Sequence, residues 1–527
     1  MENLDPKRST APDGTVYRVP DAAVIAAEFA EIARRAEGRR VVVVQGLGFV
    51  GSAVAAVVAA ARDERGEPRY FVIGVDLPTP GGFWKIAKLN EGRVPFASPD
   101  AEFDRLVREA VCDTGNLRAT ACEEAYALAD TIVIDVQLDV IDRAVQDHLE
   151  IDISMRSLEA AARAVARRMR PDALVLVETT VPFGTCERIL LPALREERTR
   201  RGITEPLLLA HAYERVMPGP NYVNSIRRFW RTFAGLDAGS SERARAFLES
   251  FIDTAAWPLR ELGDMASSEL AKLLENSYRA ANIAFIHEWT LLAEQAGIDL
   301  WSVVDSIRVR KGTHDNLRYP GFGVGGYCLT KDSLLAQWSL NHLGDSAHQL
   351  AVTLEALKIN HTMPLHTLDL LRELAGGSLR GLKVLVCGVS YLADVGDTRH
   401  SPTEIFADAL LEAGAQLVVH DPCVATWPER PSVALTADLR AAMEKAEAIV
   451  FATPHAEYRA QQPGAFPAQR CIVDANNVLT DATAAALHAG GARLLGVGKG
   501  HWRRRGYQGV GAPPPRGATR GGGAPAP

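Results

Sequence analysis

The sequence predicts an α/β fold with two Rossmann-like doubly wound domains joined by a long central helix. A glycine-rich turn at residues 45–51 follows a valine-rich strand, which is how a dinucleotide-binding βαβ unit begins. A second series of short apolar strands starts near residue 382, and helical periodicity covers residues 264–297. The chain has 527 residues, 47% of them hydrophobic, which suggests two or three cores.

Composition argues against several classes of partner. A formal net charge of -7 gives no basic field for nucleic acid, so locally placed cations and N–H groups have to hold any anionic substrate. Seven cysteines without regular spacing, and no apolar N-terminal segment, indicate a reduced cytoplasmic setting. The longest apolar run, residues 53–61, is too short to cross a membrane. We expect no nucleic acid, membrane or metal partner.

The two ends of the chain receive no predicted function. Residues 1–20 lack any period, which predicts a mobile tail before an alanine-rich helix at residues 21–37. Residues 503–527 start with three arginines and continue rich in glycine, proline and alanine, which is typical of disorder. Binding of nucleic acid by these arginines is a minor alternative.

The glycine-rich turn predicts the NAD phosphate site of a domain at residues 38–255. Gly46 permits a tight turn, and Gly51 lets helix and strand pack closely. Gly48 lets a pyrophosphate approach the helix start at Phe49 and Val50, where free N–H groups favour negative charge.

A carboxylate at the end of the next strand, residues 70–76, predicts the cofactor type. Asp76 stands where a ligand of the ribose 2′-hydroxyl belongs, and its charge would repel a 2′-phosphate. We therefore predict NAD rather than NADP. The alternative is that Asp76 is a plain turn residue.

Further strands are predicted at residues 130–136 and 171–177. The second strand leads Thr179 and Thr180 into a loop at the sheet edge where ligands bind in open α/β sheets. The alternative for both threonines is capping of the next helix.

The central region, residues 256–376, contains the long helix, a glycine-rich loop with one cysteine and, after Cys328, a stretch predicted to be a polar helix up to about Gly376. Lys272 and Asn276 are four residues apart, so they share a helix face and can direct two donors at one oxygen. The alternative is a solvated lysine. In the loop, Cys328 follows three glycines that permit close approach of a ligand: Gly323, Gly325 and Gly326. The alternative is a surface turn with a structural cysteine.

The loop at residues 320–332 resembles the active-site loop of the nucleotide-sugar 6-dehydrogenases, the UDP-glucose/GDP-mannose dehydrogenase family. Cys328 and Asp332 fall on the cysteine and aspartate of its GxGxGGxCxxxD pattern, and Lys272 and Asn276 match its KxxxN pair. Similar motifs follow in the family's order from about Arg39 to Trp502.

This resemblance implies roles for further residues. Thr180 matches the threonine associated with the hydrolytic water, and Glu214 matches the carboxylate of the PERxxPG segment, here with Tyr213 in place of its proline. Arg215 and the loop glycines join the substrate-binding set. The alternative for Glu214 is a surface ion pair with Arg215.

A second α/β unit is predicted from strands near residues 382–389, 415–421, 448–453 and 471–478, without a second GxGxxG motif. The resemblance implies that residues 377–502 bind the nucleotide sugar, and it carries Arg399 over as a cleft arginine, which we group with the cofactor-binding residues.

Two positions depart from the resembled family. Leu392 stands where the family has a lysine in the nucleotide-sugar cleft, and His314 stands where it has an arginine supplied across the subunit contact. Three basic residues lie near enough to substitute for that arginine: Arg310, Lys311 and Arg318. A substrate other than plain UDP-glucose, with a modified sugar or a different nucleotide, is our hypothesis.

The resemblance implies an NAD-dependent four-electron oxidation of the C6 alcohol of a nucleotide-diphosphate sugar, through a thiohemiacetal and a thioester on Cys328. Lys272 and Asn276 would stabilise the oxyanion, whereas the acid–base roles of Glu214 and Asp332 stay undivided. A homodimer or larger assembly through the long helix is expected. Alternatives are a two-electron dehydrogenase of the hydroxyacid or 6-phosphogluconate type and a catalytically silent NAD-binding protein. The sequence gives neither the hexose nor the nucleotide base.

Overall fold

The computed structural model describes residues 5, 7–96, 98–138, 140, 151–216, 219–344, 348–468 and 470–509. These residues form two compact units. The first contains the chain up to Asn276 together with Lys331–Gln349, and the second contains Ser277–Thr330 and the chain from Leu350 onwards.

The strands are short and mostly buried. Their bounds are β1 Arg8–Thr10, β2 Val16–Arg18, β3 Val41–Gln45, β4 Phe71–Val75, β5 Leu117–Thr120, β6 Thr131–Ile134, β7 Leu174–Val177, β8 Leu208–His211, β9 Thr232–Gly235, β10 Arg260–Glu261, β11 Lys383–Cys387, β12 Gln416–His420, β13 Ala448–Phe451, β14 Cys471–Asp474 and β15 Arg493–Gly496.

Helices separate most of these strands, and four helices follow one another between β10 and β11. Their bounds are α1 Ala22–Ala36, α2 Phe49–Ala59, α3 Phe83–Asn90, α4 Ala101–Arg108, α5 Arg156–Ala166, α6 Leu191–Arg200, α7 Tyr222–Arg227, α8 Ala238–Leu248, α9 Met265–Gln295, α10 Leu300–Arg308, α11 Asp332–His342, α12 Ala351–Leu374, α13 Pro402–Glu412, α14 Leu439–Lys445, α15 Ala456–Arg459, α16 Asp481–Ala489 and α17 Gly500–Arg504. One-turn helices also occur, among them Cys186–Leu190 before α6.

The first unit is built on a sheet of strand order β10-β9-β8-β7-β6-β3-β4-β5. Strands β3 to β8 pair in parallel, and β9 runs antiparallel to β8. From β5 to β8 this is the Rossmann order, in which the carboxyl ends of β3 and β6 open a crevice where the strand order reverses. Apolar side chains cover both faces, since continuous runs such as the valines of β3 are buried.

The second unit carries a parallel sheet of order β12-β11-β13-β14-β15. This is the other common doubly wound order, and its crevice opens after β11 and β13. The predicted fold class, two Rossmann-like domains joined by a long central helix, is confirmed. That helix, α9, ends two residues before Gly297, whose φ of 69° suits the left-handed residue that closes a helix.

The prediction of a mobile N-terminal tail is wrong for the described part of residues 1–20. Strands β1 and β2 form an antiparallel hairpin, and Ser9 is fully buried. The predicted helix at residues 21–37 is present as α1. The hairpin escaped prediction because contacts to a distant segment, rather than local periodicity, hold it.

Two expectations for the second half also need correction. Residues 503–509 are ordered: α17 extends to Arg504, and Tyr507 lies in the domain core. The rest of the predicted disordered tail lies outside the described residues. The helical stretch after Cys328, expected to be polar, consists of α11 and α12 with many buried side chains. The sequence reasoning also missed β15.

Within the part of the chain that the structure describes, no helix has the length and apolarity to cross a membrane. All seven cysteines lie in that part, and none of them forms a disulfide.

Candidate active site

The glycine-rich turn after β3 has the shape that a dinucleotide pyrophosphate requires. Gly46 has a φ of 94°, and a Cβ there would collide with the carbonyl of Asp135. A Cβ on Gly51 would collide with the carbonyl of Gly46, whereas Gly48 borders open space. Helix α2 begins after Gly48 without a capping side chain. The turn therefore fits NAD, and contact of the phosphates with the helix start at Phe49 and Val50 stays a prediction.

Asp76 lies at the end of β4 and is tied to this turn. Its carboxylate accepts the N–H of Leu47 at 3.0 Å and the N–H of Leu77 at 2.7 Å. Lys85 on α3 donates to the same carboxylate at 2.7 Å. Asp76 is thus more than a plain turn residue, and a cation beside it offsets part of its charge. Contact with the ribose stays a prediction.

Lys272 reaches from α9 to the segment after β8. Its ammonium donates to the main-chain oxygen of Glu214 at 3.1 Å and lies 3.7 Å from the Glu214 carboxylate. Both side chains are buried, with 8% and 6% of their residue surfaces exposed. The alternative of a solvated lysine is therefore wrong.

One helical turn further on, Asn276 donates to the Asp332 carboxylate at 2.6 Å. Asp332 opens α11 and is fully buried, and its other carboxylate oxygen has no hydrogen-bond donor among the described protein atoms. Burial raises the pKa of Asp332, while Lys331, Lys272 and the Asn276 hydrogen bond oppose that rise. Lys272, Asn276, Glu214 and Asp332 therefore form one buried polar cluster in the first unit.

Tyr213 lies between two cations. The Lys272 ammonium is 5.4 Å from the centre of its ring, and the Arg215 guanidinium is 4.9 Å away. Arg215 also donates to the Tyr213 hydroxyl at 3.0 Å and pairs with Glu275 on α9. The alternative of a surface ion pair between Glu214 and Arg215 is therefore wrong. A substrate contact of Arg215 stays a prediction.

The loop after β7 carries Thr180, which is half-buried. The next helical turn begins at Cys186 after Thr185, so Thr179 and Thr180 do not cap it, contrary to that alternative. Glu269 of α9 accepts the N–H groups of Gly184 at 2.5 Å and Cys186 at 2.8 Å. Burial raises the pKa of Glu269 to about 7.

A neighbouring contact anchors the same helix to β8. Ser268 of α9 lies 2.9 Å from the Nδ1 of His211, a fully buried ring. Burial lowers the pKa of His211 to about 3, so the ring is neutral near neutral pH. Ser268 and Glu269 therefore anchor the turn of α9 that precedes Lys272.

In the second unit, Cys328 sits half-buried in the predicted loop. The three glycines before it make room for protein atoms. A Cβ on Gly325 or Gly326 would come within 3 Å of the Tyr391 side chain, and one on Gly323 within about 3 Å of Pro402. The close approach that the glycines permit is thus to the C-terminal domain, and their contact with substrate stays a prediction.

Arg399 lies beside the residue that precedes Cys328. Its guanidinium is 5.7 Å from the ring centre of Tyr327 and donates to Asp397 at 2.6 and 2.9 Å. This contact places Arg399 next to the cysteine loop within the second unit. Its predicted contact with a bound cofactor is untested.

Leu392 follows Tyr391 in the loop after β11 and is exposed. Buried groups at the crevice hold this loop: Asp421 accepts from the N–H groups of Val389 and Ser390 at 2.8 and 3.0 Å. His455 Nδ1 accepts the Asp394 N–H at 2.9 Å.

Asp421, Cys423 and His455 are also close enough together to hold a metal ion. However, Asp421 and His455 Nδ1 already accept hydrogen bonds from the loop and from the Cys423 N–H. We therefore interpret this cluster as the support of the Leu392 loop.

His314 lines a groove of about 260 Å³ in the second unit. Tyr278 and Phe285 of α9, which are 53% and 50% exposed, line the same groove. Among the possible substitutes for the family arginine, burial and two neighbouring arginines lower the pKa of Arg318. Its Nε has no hydrogen-bond acceptor among the described protein atoms.

Sequence reasoning missed three residues that contact the polar cluster or its supports. Glu269 anchors the Thr180 loop, Tyr213 packs against Lys272, and the buried ammonium of Lys331 is 3.7 Å from Asp332. Each is adjacent to a residue that the motifs identified or lies on the same helix face. This closeness to the motif residues is the feature of the sequence that could have identified them.

Comparison with known proteins finds one family along most of the chain. Profiles of the UDP-glucose/GDP-mannose dehydrogenase family match three consecutive segments: the NAD-binding domain at residues 40–245, the central domain at residues 266–362 and the UDP-binding domain at residues 385–481.

Individual relatives give the same result over nearly their whole lengths. The chain is 28% identical to the UDP-N-acetyl-D-mannosamine dehydrogenase of Pyrococcus horikoshii, over 84% of this chain and 96% of that protein. It is 29% identical to the NDP-N-acetyl-D-galactosaminuronic acid dehydrogenase of Ralstonia nicotianae, over 80% and 92%.

Solved structures with similar folds are named for different sugars. The NDP-N-acetyl-D-galactosaminuronic acid dehydrogenase of Methanosarcina mazei matches with a TM-score of 0.72 at 26% identity, covering 90% of this chain and 98% of that chain. A UDP-glucose dehydrogenase from Pyrobaculum islandicum matches with a TM-score of 0.71 at 26% identity, covering 84% and 96%. This chain belongs to the UDP-glucose/GDP-mannose dehydrogenase family and is an NAD-binding nucleotide-sugar dehydrogenase.

Proposed function

We propose that this protein oxidises the C6 alcohol of a nucleotide-diphosphate sugar to the carboxylate of a uronic acid, with two NAD per sugar. The observation that carries the proposal is the buried cluster of Lys272, Asn276, Glu214 and Asp332, with Cys328 four residues before Asp332 in the same motif. A two-electron dehydrogenase would not need the cysteine.

The proposed reaction has three stages. The C6 alcohol first loses a hydride and a proton and becomes an aldehyde. The Cys328 thiolate then adds to the aldehyde carbon, and loss of a second hydride from the resulting thiohemiacetal leaves a thioester. Water displaces the thiolate and gives the carboxylate. Bound NAD supplies the hydride acceptor in both oxidations.

In this scheme the chain's own residues hold charge and move protons. Lys272 and Asn276 project from consecutive turns of α9, so both can donate to the substrate oxygen on which negative charge develops. Asp332 is buried and bears an oxygen without a donor among the described protein atoms, which suits a group that exchanges a proton with substrate or water. We assign Asp332 the acid–base role, and we assign Thr180 the role of holding the water.

For the substrate we propose a nucleotide sugar with a modified hexose, such as an N-acetylated one. Leu392 is exposed where a lysine would otherwise offer charge, and an apolar side chain suits an uncharged substituent better. Relatives of this chain include dehydrogenases named for N-acetylmannosamine and N-acetylgalactosaminuronic acid.

We further propose that the protein is a homodimer through α9. Four large apolar side chains on this helix are about half exposed: Tyr278 at 53%, Phe285 at 50%, Trp289 at 49% and Leu292 at 54%. Their surface adjoins the groove that His314 lines, so a second copy of α9 would cover both. Gel filtration with light scattering, comparing the unsubstituted chain with Phe285→Glu, tests this contact.

The experiment that tests the function is a substrate panel. Purified protein is incubated with NAD and UDP-, GDP- or dTDP-linked hexoses and N-acetylhexosamines, and the uronic acid formed is measured. We expect acid from at least one N-acetylated nucleotide sugar. Formation of acid from none of the panel would contradict the proposal.

A further inference from the structure

The N-terminal hairpin of the first unit is not an appendage, because it completes the beginning of a distant helix. Helix α3 starts after Gly82, which has no side chain to cap it. The buried Ser9 hydroxyl accepts the Trp84 N–H at 2.9 Å and donates to the Pro80 carbonyl at 2.7 Å. Ser9 thus performs the capping that a residue at the helix start usually provides.

A second contact holds the same helix from the hairpin turn. Asp13 accepts from the ammonium of Lys88 at 2.7 Å, and Lys88 is buried, with 6% of its surface exposed. The Lys88 ammonium and the Thr15 amide hold the pKa of Asp13 well below its usual range, so the Asp13 carboxylate is charged at neutral pH. The hairpin therefore contacts helix α3 at its first turn, through Ser9, and at its second turn, through Asp13.

Helix α3 also carries the cation of the cofactor site. Lys85 follows Trp84 directly and donates to Asp76, the carboxylate predicted to bind the ribose. Asp76 in turn accepts from Leu47 in the glycine-rich turn. Contacts thus run without interruption from Ser9 through α3 to the turn that fits the pyrophosphate.

The hairpin lies outside the segments that the family profiles match. The profile of the NAD-binding domain begins at residue 40, well after Ser9 and Asp13. The family motifs therefore assign no role to the hairpin.

We propose that the hairpin, residues 8–18, is a positioning element of the NAD site that sets Lys85 against Asp76 and so orders the adenosine-ribose subsite. The ligand concerned is the ADP-ribose half of the cofactor, which Asp76 and the glycine-rich turn are predicted to bind. The C-terminal domain, which binds the nucleotide of the substrate, lies outside its influence.

Isothermal titration of the full chain with NAD, ADP-ribose and UDP tests this proposal without relying on turnover. Ser9→Ala and Asp13→Asn should each weaken NAD and ADP-ribose binding by about three- to tenfold, the size expected for loss of a helix cap, and leave UDP binding unchanged. Thr10→Ala is the matched control, because Thr10 is on the same strand and faces solvent.

A double variant shows whether the effect passes through Lys85. If it does, Lys85→Met combined with Ser9→Ala should weaken ADP-ribose binding by less than the product of the two single effects. Unchanged NAD binding in both hairpin variants, or equal weakening of NAD and UDP, would overturn the proposal. Fully multiplicative effects of Lys85→Met and Ser9→Ala would overturn the route through Lys85.

Discussion

Asn276 donates to Asp332 across 2.6 Å, although 56 residues separate them in the sequence. This bond connects α9 to the start of α11 and holds a carboxylate that burial drives towards its neutral form. The other oxygen of the Asp332 carboxylate has no hydrogen-bond donor among the described protein atoms. Substitutions of Asn276 and Asp332 therefore test the proposed acid–base role of Asp332.

Asp332→Asn should lower kcat by about a hundredfold or more, since the amide keeps the shape of the side chain but exchanges no proton. Steady-state kinetics with the best substrate measure this loss.

Asn276→Ala should shift the acid limb of the kcat–pH profile to higher pH. The Asn276 hydrogen bond lowers the Asp332 pKa, so its loss raises that pKa and a base is lost at a higher pH. An unmoved acid limb in Asn276→Ala would exclude Asp332 as the titrating base.

The Asp76–Lys85 pair predicts opposite effects on cofactor choice. Asp76→Ala removes the repulsion of a 2′-phosphate and leaves Lys85 available to it, so the preference for NAD over NADP should narrow. Lys85→Met leaves the Asp76 charge without its ammonium, so the preference should widen. Ratios of kcat/KM for the two cofactors measure both. A shift in the same direction in both variants would refute this assignment.

Glu269 gives the stability of the fold a pH dependence. Its pKa is about 7 in the folded protein, so between about pH 4.5 and 7 the folded chain keeps a proton that the unfolded chain has released. This raised pKa makes the stability fall as pH rises through that window, by on the order of 3 kcal/mol.

The glutamine of Glu269→Gln does not titrate. The melting temperature of this variant, relative to that of the unsubstituted protein, should therefore be higher at pH 7.5 than at pH 5. The control is Glu288→Gln, at an exposed position of the same helix, which should shift both temperatures alike. An equal shift at both pH values in Glu269→Gln would show that this carboxyl is not the source.

Leu392→Lys tests the proposed substrate class. A charged hydrogen bond contributes about 1.5 to 3 kcal/mol, so the lysine should lower KM for UDP-glucose about ten- to a hundredfold if its absence disfavours that sugar. Leu411→Lys, another exposed leucine of the same domain, should have no effect. Efficient turnover of UDP-glucose by the unsubstituted protein, with no gain from Leu392→Lys, would show that the substitution is neutral.

Cys328→Ser should abolish formation of uronic acid and leave NAD binding intact, because a neutral hydroxyl has no thiolate character near neutral pH. Cys112→Ser, at an exposed cysteine of the first unit, is the control and should keep full activity. Full acid production by Cys328→Ser would exclude the covalent route.

The sequence predicted four strands of the first sheet, β3, β4, β6 and β7, four of the second, β11 to β14, and the identity of the clustered residues, because period, glycine spacing and motif order are local properties. It could not predict partners that tertiary folding brings together. Ser9 lies in a stretch that the sequence predicts to be a tail, and only the folded structure shows its hydrogen bond with Trp84. Likewise, the glycines before Cys328 suggested room for a ligand, whereas the room that they make is for Tyr391 and Pro402.

A four-electron oxidation on one protein fixes the number of NADH molecules formed per uronic acid, and this ratio can be measured. NADH absorbance and uronic acid are measured in the same reaction, with the best substrate of the panel. We expect two NADH per acid and no released aldehyde. One NADH per sugar, with a free aldehyde as the product, would exclude the four-electron oxidation.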